Sequence, residues 1–469
     1  MYYITCTLIV QYKFLKSLQI FKVASFKDFY NSISWDILLT LVYSNWYNTL
    51  AENGGILMQE LFNDYIQDME TYIMFRIKET VAKLTPELTA KNRAPISLSM
   101  GAPTQAPPQG VIKALQKALE EKGIHTYSTS KGEKYFREAC AERMKKRFGV
   151  DINPDTEIYS LIGSKEGLAN FIRILINPTT NKKEKEIIMV PDPGYASYKE
   201  MVKVSGGKAY SIPLRAEDNY MPDMEKVFEK LIANGNNPKK VKALLINYPN
   251  NPLGATATLE YLKSVVEFCK KHHILLISDA AYTDMYFKPE LKPASIFQVD
   301  EAKDIAVEFF SFSKPYAMTG WRLGWICGNA EAVKMFGKLK SSLDSGLFKA
   351  LQKAGAEILN SEEGDKYIEQ SNLMFRKNQT LFVKGLKELG WKNFNVPDAT
   401  FYLWIPIPPR YKSAVEFSDD LLKTSGIVVV PGDGFGEYGK GFVRISIVCP
   451  EEQINEVFKR MKEDGFTFE

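Results

Sequence analysis

The chain has 469 residues, 45% of them hydrophobic, and 60 Lys and Arg against 56 Asp and Glu give a formal net charge of +4. That length and apolar share can bury a large core in two or three domains and exclude a disordered chain. So small a net charge, with no dense Lys/Arg block alternating with aromatics, gives no case for nucleic acid and points to a small-molecule partner. The five cysteines (Cys6, Cys140, Cys269, Cys327, Cys449) are odd in number and scattered, as reduced thiols of a cytoplasmic protein would be.

Residues 1–57 differ from the rest. They are rich in Tyr, Phe, Ile, Leu and Ser, yet Lys13, Lys16, Lys22 and Lys27 interrupt every apolar run before it could span a bilayer. No small-residue cleavage site closes an apolar core, so a signal peptide is not expected either. This stretch is read as a poorly defined extension. After the NGG break at 53–55, amphipathic spacing (Leu61, Tyr65, Met69, Ile73, Ile77, Val81) predicts a helix, and 58–104 is assigned to the N-terminal part of a smaller domain.

Between 105 and 345, short apolar runs at 158–162, 187–190, 209–213, 243–246, 274–277, 306–310 and 324–328 alternate with helical patterns such as 259–271. Such alternation predicts an α/β domain: a mostly parallel seven-stranded sheet, covered by helices on both faces, with its site at the strand ends. From 346 to 469 the pattern changes to a long helical region up to 389. Strand-like segments at 401–407, 427–430 and 442–447 then follow, separated by helices, as in a smaller α+β domain.

Four motifs fall just past predicted strand ends. The segment 163–167 (GSKEG) lies at a strand-to-helix turn, where free amides and the helix dipole can cradle a phosphate; read alone, it is equally a simple tight turn. In 247–254 (NYPNNPLG) two prolines and a glycine shape a loop that presents Asn251. Asp279, in 278–282 (SDAAY), ends an apolar strand; it is either a carboxylate awaiting a cationic partner or an ordinary helix N-cap. Lys314, in 311–325 (SFSKPYAMTGWRLGW), is ringed by hydroxyls, with Arg322 eight positions on. A lysine amine is nucleophilic only when unprotonated, which a desolvated site beside another cation favours. Ser311, Ser313 and Arg322 can donate to a phosphate, the arginine in bidentate fashion.

Taken in order, these motifs resemble the class I/II aminotransferases, pyridoxal-phosphate enzymes of fold type I, over roughly residues 76–469. The resemblance implies Lys314 as the Schiff-base lysine, Asp279 as partner of the pyridine nitrogen, and Asn251 with Tyr282 as donors to the phenolic oxygen. It places Gly163, Ser164, Lys165, Ser311, Ser313 and Arg322 around the phosphate. Tyr195, in 191–198 (PDPGYASY), matches the aromatic that stacks on the ring. Tyr127, in 125–132 (HTYSTSKG), matches the tyrosine that reaches the phosphate of a neighbouring subunit, which requires a homodimer. Arg444, in 441–446 (GFVRIS), matches the clamp for the substrate α-carboxylate, and Gly101 sits where substrate approaches the backbone. Leu253 departs from the usual threonine, and Pro315 after the lysine is less common.

The implied substrates are an amino acid and a 2-oxo acid. Segments 344–348 (DSGLF), 397–406 and 431–437, with Lys165 near the distal end of the substrate, look most like LL-diaminopimelate aminotransferases. Aspartate and alanine aminotransferases share nearly all of these core motifs, and a pyridoxal-phosphate lyase of the same fold would keep every cofactor residue. A regulator carrying such a domain would need a DNA-binding module that 1–57 lacks. The glycine-rich stretch 432–441 resembles a dinucleotide fingerprint, but residue 437 is not glycine and a strand, not a helix, follows. Cys269 with His272 and His273 lacks a second ligand pair, so no metal is expected.

Overall fold

The computed structural model describes residues 61–69, 71–179, 181 and 183–469, so the reading of residues 1–57 lies outside the described residues. The chain divides into two compact units, 1–69 and 70–469. The described part of the first contains one helical turn, α1 (Asp64–Gln67), begun where the Asn63 side chain accepts the Tyr65 N–H.

The second unit opens with α2 (Ile73–Ala90), β1 (Ile96–Ser97), α3 (Gln109–Leu119) and α4 (Lys134–Phe148). Next come β2 (Ile158–Leu161), α5 (Ser164–Leu175), β3 (Ile187–Asp192), α6 (Ser197–Val204), β4 (Lys208–Pro213) and α7 (Met224–Ala233). Then follow β5 (Val241–Asn247), α8 (Leu259–His272), β6 (Leu275–Asp279), β7 (Ala306–Ser311), β8 (Gly324–Gly328) and α9 (Ala330–Lys340). The chain continues with α10 (Lys349–Leu359), α11 (Glu362–Glu388), β9 (Tyr402–Pro406), α12 (Ala414–Ser425), β10 (Ile427–Val428), β11 (Val430–Pro431), β12 (Phe442–Ser446) and α13 (Glu451–Glu463).

Strands β2 to β8 form one sheet in the order β2-β8-β7-β6-β5-β3-β4. Only β8 runs against its neighbours, pairing antiparallel with β2 and β7. The fold is thus α/β with a mostly parallel seven-stranded sheet. Alternate residues of β5 feed separate cores on its two faces: Leu244 and Ile246 one, Ala243 and Leu245 the other. Burial on both sides explains why these strands read as continuous apolar runs rather than as alternating patterns. A further core surrounds the sheet β11-β12-β9 and takes in Trp391, Phe401, Leu403 and Ile445.

Local chemistry sets the element ends. Thr258 caps α8 by accepting the Tyr261 N–H, and His273 closes it in a left-handed turn at φ +54°. Two expectations are corrected. The apolar spacing over 61–81 spans two helices, because Tyr72 (φ −52°, ψ 124°) leaves helical geometry and starts α2 afresh. The helical region before 389 is present as α10 and α11, with Ser361 capping α11 by accepting the Gly364 N–H. The predicted strand 427–430 is two: β10 pairs with β1, and β11 pairs with β12. Among the described residues no helix is long and apolar enough to cross a membrane.

Candidate active site

The sheet delivers its polar residues to one edge. Asn247 and Asp279 end β5 and β6 and are direct register partners, and Ser311 ends β7. Because β8 is antiparallel, its first residue Gly324 pairs with both Ser311 and Leu161, which brings Arg322 and the Gly163–Ser164 turn to the same edge. A cavity of about 430 Å³ opens there. Its lining includes Lys314, Asp279, Tyr282, Ser164, Lys165, Tyr195, Asn251, Ser311, Ser313, Arg322, Gly101 and Arg444. Gly163 lies just behind: its φ of +80° suits glycine, and a Cβ there would run into the Arg322 guanidinium. Tyr127 also lies outside this lining and, unlike the other expected site residues, is 85% exposed.

Lys314 donates to the carbonyl of Gly101 and lies 5.7 Å from the centre of the Tyr282 ring. Burial, followed by the charges of Arg444 and Arg322, lowers its amine to about 8. Asp279 is buried and its carboxyl is raised by that burial, against which work the Tyr198 hydroxyl at 2.6 Å from Oδ2 and the Ala281 N–H at 3.3 Å from Oδ1. It is therefore no helix N-cap: a hydroxyl and a turn amide hold it at the cavity. Asn247 donates to the Asp279 carbonyl at 2.8 Å, and its Oδ1 accepts the Asn251 N–H at 2.9 Å, so the two strand ends are cross-tied.

At the other end, the first turn of α5 begins at Ser164. Ser311 Oγ accepts the Ser313 N–H at 3.1 Å. Arg322 donates to the carbonyl of Thr319 at 2.8 Å and to that of Ile162 at 3.3 Å. Its φ of +58° is a left-handed conformation that costs a non-glycine residue on the order of 1 kcal/mol and is held by the surrounding turn.

Arg444, from the middle of β12, has its guanidinium carbon 4.4 Å from the Tyr402 ring centre and 4.8 Å from that of Phe435. It donates to Asn251 Oδ1 at 2.9 Å and to the Ser99 carbonyl at 2.8 Å, while its buried Nε has no partner. The Asn251 amide nitrogen is thereby left as that residue's donor. The Lys165 ammonium lies over two rings, 5.0 Å from Tyr72 and 5.7 Å from Tyr195.

Sequence reasoning missed several lining residues. Tyr198 stands one helical turn beyond Tyr195 in the same motif, and Asn247 opens the NYPNNPLG loop, so both carried a usable signal. Tyr402 and Phe435 lay in quoted segments but were given no role. Tyr72, whose hydroxyl burial pushes up to about 12, gave none, being one more aromatic ahead of an amphipathic helix. The set rejected as a metal site is a packed cluster: His272 lies 4.4 Å from the Phe228 ring, 4.8 Å from Phe268 and bonds Glu225 at 2.9 Å. The neighbouring Cys269 thiol is pushed well up by burial.

This arrangement, a buried amine of lowered basicity between a strand-end carboxylate and a strand-to-helix turn, has counterparts among known proteins. Residues 93–461 match the family of class I and II aminotransferases. The LL-diaminopimelate aminotransferase of Aquifex aeolicus is 42% identical over 367 residues, covering 78% of this chain and 90% of that protein. LL-diaminopimelate aminotransferase 2 of Trichormus variabilis is 40% identical over 374 residues, covering 80% and 92% respectively. Among solved structures, substrate-bound BacF from Bacillus subtilis superimposes with a TM-score of 0.79 at 31% identity, covering 87% of this chain and 99% of its own. The chain belongs to the class I and II aminotransferases, and it is an enzyme of that kind.

Proposed function

We propose that this aminotransferase uses pyridoxal 5′-phosphate and exchanges the amino group of LL-diaminopimelate with 2-oxoglutarate. The observation that carries the cofactor reading is the Lys314 amine, lowered to about 8 and set in one cavity with Asp279 and the Ser164–Arg322 end. The donor set fits the group. An uncharged amine suits an aldehyde, a buried carboxylate whose basicity is raised suits a ring N–H⁺, and hydroxyls, turn amides and a guanidinium suit a phosphate dianion. When bound, the cofactor supplies an electron-accepting ring that takes up negative charge developing at the substrate α-carbon.

The chain's own groups supply the rest. Lys314 would hold the aldehyde end of the cofactor, and its amine would serve as acid and base for the proton at the substrate α-carbon. Asp279 would hold positive charge on the ring nitrogen, and Asn251 with Tyr282 would donate to the ring oxygen. Gly163, Ser164, Lys165, Ser311, Ser313 and Arg322 would hold the phosphate, and Tyr195 would stack on the ring. Arg444 clamps the α-carboxylate, its unpartnered Nε supporting this role, beside the Gly101 backbone. Lys165 receives the distal carboxylate of a long dicarboxylic substrate.

The LL-diaminopimelate reading, and with it a place in lysine biosynthesis, is supported by the names of the 40–42% identical relatives. The outward-facing Tyr127 supports a homodimer in which it serves the partner's phosphate. The buried free thiols of Cys140, Cys269, Cys327 and Cys449 support a cytoplasmic setting. The domain division that goes with this reading is 58–104 and 346–469 for the smaller part and 105–345 for the larger. Borohydride reduction of the holoenzyme followed by peptide mapping tests the cofactor assignment. The label is expected on Lys314; a label on another lysine, or none, overturns it.

A further inference from the structure

Lys340, the last residue of α9, is 0% exposed. A lysine is almost never fully buried unless it is paired, and this one is paired twice. Its Nζ donates to both carboxylate oxygens of Glu166, at 3.1 and 3.2 Å, and to Asp344 Oδ2 at 2.6 Å. Asp344 is itself anchored, its Oδ1 accepting the Gly346 N–H at 2.9 Å.

Glu166 is the third residue of α5, directly after the cavity-lining Ser164 and Lys165. Its Oε2 accepts the Ile162 N–H at 3.0 Å, and its Oε1 accepts from Asn170 at 2.6 Å. The carbonyl of the same Ile162 accepts from Arg322 at 3.3 Å. Ile162 thus carries the acidic brace on its nitrogen and the cavity's guanidinium on its oxygen.

A carboxylate at that place has two opposed effects. By accepting an amide ahead of the helix it braces the turn, as acidic residues in first turns do. Its charge, however, repels any phosphate dianion gathered by that turn and by Arg322. Ser164, Ser311 and Ser313 carry no charge to offset this, and the Lys165 ammonium is turned away over the Tyr72 and Tyr195 rings. Lys340 supplies one from the buried side, and Asp344 keeps the ammonium in place.

We infer that Lys340 is a positioning residue for the phosphate end of the site: it neutralises Glu166, so that this carboxylate braces the 162–165 turn without repelling the phosphate. The inference rests on the pyridoxal-phosphate reading above. It predicts an effect confined to the phosphate, which a purely structural ion pair would not show.

The test is equilibrium dialysis of the apo-protein with pyridoxal phosphate and, separately, with pyridoxal, which lacks the phosphate. K340M should weaken pyridoxal phosphate about tenfold or more, the effect of leaving a half-buried carboxylate uncompensated beside the turn, with pyridoxal unchanged. K340M/E166Q, which removes the Glu166 charge beside the turn and leaves only Asp344 unpaired, should recover most of the loss. Equal losses for both ligands, no loss, or no recovery in the double variant would overturn the inference. If K340M does not fold, E166Q alone decides: with Lys340 in place it should bind pyridoxal phosphate more tightly and pyridoxal as before, and unchanged phosphate affinity counts against the role. A wild-type protein that binds neither ligand overturns the cofactor reading itself and this inference with it.

Discussion

One wall of the cavity draws Asn247, Asp279, Ser311 and Arg322 from neighbouring strand ends of a single sheet, whereas the other draws Tyr72, Gly101, Tyr402, Phe435 and Arg444 from widely separated segments. The first is tied by short bonds before any ligand arrives: Tyr198 to Asp279 at 2.6 Å, Asn247 to the Asp279 carbonyl at 2.8 Å. The second holds one guanidinium between two rings and leaves its Nε free. A group that stays bound through every turnover gains from a rigid, fully satisfied wall. A substrate that comes and goes gains from donors still unpaired, because a ligand lacking the matching acceptor is then penalised.

Breaking the first wall should cost most. Lys314→Ala should lower kcat by roughly a thousandfold or more, since it removes the group proposed to handle the α-proton, while the folded protein still associates with pyridoxal phosphate; steady-state rates and dialysis check the two halves. Breaking the second should act on binding. Arg444→Ala should raise KM for both the amino acid and the 2-oxo acid about a hundredfold, with cofactor retention unchanged. Unaltered KM values would remove the carboxylate role.

Lys165→Ala sharpens the comparison, since this lysine lies over Tyr195 of one wall and Tyr72 of the other. It should raise KM for LL-diaminopimelate about tenfold more than for glutamate. The two walls also meet electrostatically at Lys314. Its amine reacts only when unprotonated, so capture of pyridoxal phosphate by the apo-protein should accelerate with rising pH and level off above about 8. Removing Arg444, which helps burial to lower that amine, should move the midpoint upward; stopped-flow capture rates across pH read it out. The smallest effect is expected from Tyr198→Phe, which removes one hydroxyl from Asp279 and should cost kcat about tenfold or less.

The first wall was legible in the sequence because each of its residues follows an apolar run that ends at the sheet edge. Once 243–246, 274–277 and 306–310 are read as parallel neighbours, Asn251, Asp279 and Lys314 must converge. Arg322 follows from the same pattern only because β8 is antiparallel, which periodicity does not reveal. The second wall was legible in part. Arg444 was reached through resemblance, but Tyr72 depends on where α2 begins, and the apolar spacing over 61–81 runs through that boundary without marking it. Lys340 was invisible for a plainer reason: a lysine at a helix C-terminus reads as a solvated dipole partner, and only tertiary packing against Glu166 and Asp344 buries it.

The most direct measurement is glutamate formation by the purified holoenzyme from 2-oxoglutarate with LL-diaminopimelate, aspartate or alanine as the amino donor. LL-diaminopimelate is expected to give the highest kcat/KM, because the proposed role of Lys165 is to receive the distal carboxylate of a long substrate, which alanine lacks and aspartate carries on a shorter arm. Fast turnover of aspartate or alanine with LL-diaminopimelate inert would contradict the substrate assignment, and failure of all three donors would contradict the account of the site.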